Sequence, residues 1–157
     1  MYKDEAFYTG ESFHRVGLDI IPDDWLDNES DDGHWFVPSI VNLAFACELY
    51  LKSLISDGES QVKGEHKWEA LFKTSLSEEL QDKIRNSPPF KGDDDFDVHL
   101  CECGNAFVDW RYIFERNKPK SIDLVFLENF CCVLHTLAKA ETDRFLLQRR
   151  SRTNKTT

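Results

Sequence analysis

Several polar side chains in this chain have types and spacings that could do chemistry. The run Asp109-Trp110-Arg111-Tyr112-Ile113-Phe114-Glu115-Arg116 gathers a guanidinium, a phenol and a carboxylate within five residues of one another. On a regular helix Arg111 and Glu115 share a flank, about 100° from the middle of an apolar stripe, with Tyr112 beyond them. An arginine at such a border can face a cleft and hold a phosphate through two parallel N–H bonds, or it can pair with Glu115 or with Glu48. Glu48 and Lys52 stand four apart in the favourable order for a helical ion pair, at the edge of the core. His66 begins a short helical segment, from which it can donate a hydrogen bond across the molecule and fix a loop. Its use as an acid or base would need a cleft and a perturbed pKa.

Other groups invite a metal and fail on geometry. His99, Cys101 and Cys103 are soft donors, but positions two apart on a helix point to different faces. The adjacent Cys131 and Cys132 meet the same difficulty. The acidic segment Asp23 to Gly33 does not read as a calcium loop. The register that puts Gly33 at its sixth position begins at Asn28 and places Ser39 where the bidentate acid belongs. Glycine-rich phosphate loops, nucleophile elbows and His-Glu-x-x-His patterns are missing. No metal and no cofactor are expected.

Helices must position these groups. A weakly patterned first helix is read over Asp4 to Ile20, ended by Pro22, and the acidic 23–33 segment is a solvated loop. A second helix runs from about Pro38 to Ser56, apolar almost all round and therefore central. After a polar loop over 57–65, His66 opens a short helix carrying Trp68, Leu71 and Phe72. Ser75 with Glu78 reads as a capping box for another, reaching about Arg85. Ser87-Pro88-Pro89 breaks the chain. Leu100, Cys103, Phe107, Trp110 and Phe114 recur at spacings of three and four, which predicts one helix over about Phe96 to Arg116. The last helix starts near Ser121. The expected architecture is all-α, an up-and-down bundle of four long helices plus one or two short ones.

Composition narrows the classes. The chain has 157 residues, 41% hydrophobic and 13% aromatic, with 7 Gly and 5 Pro, enough for one core and too few breakers for a turn-rich β fold. Its net charge of −10 disfavours broad non-specific nucleic-acid binding, though a local basic site is compatible with it. Residues 1–148 are read as a single domain and 149–157 as a basic, frayed tail. The odd number of cysteines, 5 in all, predicts free and mostly buried thiols and a reducing cytoplasm. Asn42, Glu48 and Lys52 within the apolar 36–55 stretch argue for a core helix rather than a membrane span.

The runs Asn42-Leu-Ala-Phe-Ala-Cys-Glu48-Leu-Tyr-Leu-Lys52-Ser-Leu-Ile55 and Glu65-His66-Lys-Trp-Glu-Ala-Leu71-Phe72 resemble the HEPN superfamily. Arg111-Tyr112-Ile-Phe-Glu115 resembles the arginine-bearing helix of one of its bacterial branches. The likeness spans roughly Val37 to Leu137. It implies a helical bundle that commonly dimerises, in a superfamily with many metal-independent RNases of phage defence, toxin–antitoxin pairs and RNA processing. Their site uses an arginine followed, after about four to six intervening residues, by a histidine that assists proton transfer or stabilises charge. Here Arg116, Asn117 and Lys118 occupy the places where that histidine would fall, so only Arg111 carries over. The tyrosine of the adenylylated-toxin branch is not matched either.

The resemblance therefore implies a HEPN-like, dimerising binding or regulatory module in a bacterial defence or stress setting. Glu48, Lys52, Arg111, Tyr112 and Glu115 would form its polar cluster, with RNA, a nucleotide or a protein of a defence system as partner. The first alternative is a divergent metal-independent endoribonuclease using Arg111 with His66. The second is a structural interaction protein with an acidic surface.

Overall fold

The computed structural model describes residues 3–23, 35–55, 65–115 and 121–153, with the side chains of Phe114, Arg152 and Thr153 excepted. The acidic loop past Asp23, the polar loop over 56–64, Arg116 to Lys118 and the tail from residue 154 lie outside the described residues. The helices are α1 (Lys3–Asp19), α2 (Phe36–Leu54), α3 (Trp68–Ala70), α4 (Glu78–Arg85), α5 (Phe96–Cys103), α6 (Ala106–Arg111) and α7 (Leu124–Thr153). A π turn over Leu71–Ser75 extends α3, a 3-10 turn over Ile113–Glu115 follows α6, and no strand occurs among the described residues. The protein is an all-α, up-and-down bundle, as its periodicity predicts.

The centre is α2, which packs against α1, α6 and α7. It is long and apolar enough to cross a membrane by length and composition alone, and 67% of its 18-residue apolar window is buried inside the bundle. Its neighbours alternate in direction. Phe13 of α1 meets Phe45 while Phe7 meets Tyr50, so α1 runs antiparallel to α2. Phe107 stacks on Phe45 and Trp110 meets Phe36, so α6 is antiparallel as well. The remaining wall, α7, begins at an Asp123 cap whose Oδ1 accepts the Phe126 N–H at 2.9 Å.

Glycine sets the closest of these contacts. Gly10, His14 and Gly17 recur at spacings of four and three, one face of α1, and all three are buried. A Cβ at Gly17 would stand 2.9 Å from both Cγ and Cδ2 of Leu43 and 3.2 Å from its backbone nitrogen. Gly17→Val is expected to cost about 2 kcal/mol through overpacking. A urea titration should show a lower midpoint with an unchanged slope, and an unmoved midpoint would mean that α1 is free to back away.

Three boundaries differ from expectation. The helix predicted over 96–116 is composite. Gly104 and Asn105 interrupt it between α5 and α6, where a Cβ on Gly104 would come within 3.3 Å of the Trp68 Cβ and 2.8 Å of the Leu100 carbonyl oxygen. The cap of α4 is Ser77, not Ser75, because Ser75 belongs to the π turn and Leu76 is extended and buried between them. Ser77 Oγ accepts the Leu80 N–H at 3.4 Å, and no reciprocal carboxylate closes a box. Finally, α7 continues through residues 149–153, which sequence reading assigned to a frayed tail.

Candidate functional site

The central polar group is built from α2 outwards. Glu48 is 2% exposed, one turn before the last turn of α2, and its Oε1 accepts Lys52 Nζ at 2.7 Å. The same oxygen accepts Nδ1 of His66 at 2.8 Å. Two donors on one buried carboxylate oxygen supply the compensation that a charge out of water requires. The Glu48–Lys52 pair thus forms, partly buried at the edge of the core as expected, and His66 does reach across to it.

Glu65 places His66. Its Oε1 accepts the backbone N–H groups of His66 at 3.0 Å and Lys67 at 2.8 Å, turning the chain into α3. The Lys67 N–H in particular holds the Glu65 carboxyl below its ordinary value. The His66 imidazole remains 58% exposed, with Nδ1 committed to Glu48. That arrangement directs Nε2 away from the carboxylate, the orientation a proton-transfer group needs.

Arg111 lies elsewhere. It is exposed at the end of α6 and makes neither ion pair that its position allowed, with Glu115 or with Glu48. The reason is local. Tyr112 leaves the helix at φ −110°, ψ 22°, and a 3-10 turn follows, so residues 111 and 115 no longer stand one α-turn apart on a shared flank. The guanidinium instead lies 5.4 Å from the Tyr112 ring centroid and 5.8 Å from that of Phe107. Phe107 in turn stacks on Phe45 of α2, at 4.6 Å and 21°. Arg111 and Tyr112 thus form one exposed patch anchored to the core, while Glu48, Lys52 and His66 form another. The single cluster of five residues expected from the sequence is divided in two, and Glu115 joins neither.

The candidate metal donors separate in burial and partners. Cys103 is buried, its Sγ 3.9 Å from the Asp123 carbonyl oxygen, and burial pushes its thiol up to about 12. Cys101 is exposed, and His99 sits between Asp93 and Asp123 at 3.9 and 3.7 Å. The described residues hold no group of three or more His, Cys, Asp or Glu side chains able to bind a metal. All five thiols are free and most are buried, as expected: Cys47, Cys103 and Cys131 are buried, and Cys101 and Cys132 are exposed.

A third polar group went unnoticed in the sequence. His14 of α1 is 7% exposed, with Nδ1 3.2 Å from the Tyr50 hydroxyl and Nε2 3.9 Å from Cys132 Sγ. His135 of α7 packs its ring against His14 and bonds Glu11 Oε1 at 3.3 Å. The signal was present in the glycine spacing: a histidine between two glycines on one helical face sits where a neighbouring helix approaches most closely.

Comparisons of the chain with protein-family models, with curated proteins and with solved structures find no match.

Proposed function

We propose that the chain is a HEPN-like, homodimerising binding module of bacterial defence or stress response, located in the cytoplasm, which engages an RNA end or nucleotide without cleaving it. The observation that carries this reading is the state of Arg111. In a chain with 29 acidic and 19 basic residues, its guanidinium has no carboxylate partner among the described residues and lies beside an exposed tyrosine. A guanidinium next to an aromatic face suits a phosphate and the base attached to it. The bundle architecture and the anchoring of Phe107 on Phe45 support the reading by giving that patch a rigid base.

Arg111→Ala is expected to weaken binding of a short, labelled single-stranded RNA at least tenfold in fluorescence anisotropy, while the melting temperature stays within about 2 °C. Equal affinity with and without Arg111, or a large drop in melting temperature, would reassign the residue to scaffolding. Size measurement in solution checks the dimer.

One observation favours a second reading, a metal-independent endoribonuclease: Glu48 orients an exposed imidazole on His66. The same RNA incubated with the protein in EDTA discriminates the two. Intact RNA supports the binding module, and cleavage lost in both Arg111→Ala and His66→Ala would replace it with the enzyme.

A further inference from the structure

Three helices bring a thiol, an imidazole and a phenol into one row. Cys132 is exposed on α7, its Sγ is 3.9 Å from Nε2 of His14 on α1, and Nδ1 of His14 is 3.2 Å from the Tyr50 hydroxyl on α2. This is the order of nucleophile, base and orienting group. Both supporting side chains are buried, and the His14 ring meets Tyr50 at 5.9 Å and His135 at 5.5 Å, so packing sets the imidazole's orientation.

Burial opposes the charged form of His14, but hydrogen bonding with Cys131 and Cys132 outweighs it and raises the imidazole to about 10. Burial and the neighbouring Cys131 push the Tyr50 phenol up, so it stays an O–H group. Of the two adjacent cysteines, Cys131 is fully enclosed and donates to the Leu43 carbonyl at 3.8 Å. Burial pushes its thiol up, while hydrogen bonds with Cys47 and His14 bring it down to about 7. Of the two, Cys132 is the one exposed to solvent and so within reach of a molecule from outside.

Cys132 also lines a cavity. It is about 300 Å³ and lies between α7 and the Pro88-Pro89 turn, with Val133, Thr136 and Leu137 on its walls. Its surface is mostly apolar, suited to a small, weakly polar molecule rather than to an ion.

We propose that Cys132 is an activated thiol that adds to small α,β-unsaturated carbonyl compounds entering through this groove. His14 holds the proton released by the thiol as its imidazolium. The sulfur lone pair forms a carbon–sulfur bond at the β-carbon, and the carbon–carbon π pair moves toward the carbonyl as an enolate. The enolate then takes the proton back from His14. The product is a thioether, nothing leaves, and no oxidant is consumed.

The test treats the full chain with N-ethylmaleimide near pH 7 and follows each cysteine by peptide mass. Cys101 is the internal comparison, since it is also exposed but has the Glu69 carboxylate, not an imidazole, beside it. Cys132 is expected to react at least tenfold faster than Cys101, and His14→Gln is expected to erase that advantage while leaving the Cys101 rate unchanged. Equal rates in the native chain, first labelling at Cys131, or a Cys132 rate indifferent to His14→Gln would overturn the proposal. Unfolding of the His14 variant would be seen as rapid labelling of buried Cys47 and Cys103. In that event the native pH profile decides: a Cys132 rate already near its plateau at pH 7 supports activation, and one climbing about tenfold per pH unit, as for an unassisted thiol, overturns it.

Discussion

Replacing Phe130 with alanine is expected to lower the stability of the bundle by about 4 kcal/mol. The side chain is completely buried, and its ring meets Trp68 at 5.3 Å, Phe126 at 5.6 Å, Phe96 at 6.1 Å, Phe90 at 6.2 Å and Phe72 at 6.4 Å. Those rings belong to α3 and its π turn, to the turn after α4, to α5 and to α7 itself. Phe130 is therefore the point where the short elements are tied to the long ones. Removing it leaves a cavity walled by five aromatic rings, and rings with few torsions collapse poorly into empty space. Urea unfolding monitored by helical circular dichroism gives the measurement. A loss below about 1.5 kcal/mol would mean that the half of the molecule from α3 to α5 packs independently of α7.

The second large effect is electrostatic. Glu48→Ala is expected to cost about 3 kcal/mol, because Lys52, with a side chain 13% exposed, would keep a charge at the core boundary with its acceptor removed. His66 loses less, since more than half of its side chain already faces solvent. The double variant Glu48→Leu with Lys52→Met should recover most of the loss, as replacing both ions by apolar groups of similar size leaves nothing uncompensated. If the double variant is as unstable as Glu48→Ala, the carboxylate's main work is holding His66 and the approach to α3, not neutralising Lys52.

These two positions show what could be read in advance. The three–four spacing of large apolar residues marks the long helices, and the charges four apart within α2 mark Glu48 and Lys52 as a pair. What escaped was information held between segments. At the break between α5 and α6, Gly104 leaves no room for a Cβ against the Leu100 carbonyl oxygen and against Trp68, which comes from a different helix, and the continuous stripe from Leu100 to Trp110 gave no sign of it. The loss of the Arg111–Glu115 pair follows from that helix ending at Tyr112, and a helical wheel assumes that no such end exists. His14 was passed over because one histidine on a weakly patterned helix carries little signal alone. Its meaning depends on Tyr50 and Cys132, far away in the chain and adjacent in space.

The function proposed for the chain depends on RNA meeting the exposed patch at the end of α6. Photocrosslinking of a 4-thiouridine-labelled single-stranded RNA to the full protein, followed by peptide mass mapping, tests this most directly. The account predicts that the principal crosslink falls within residues 106–115, on or beside Tyr112, and disappears in Arg111→Ala. Crosslinks confined to α1 and α7, with none in that peptide, would contradict it.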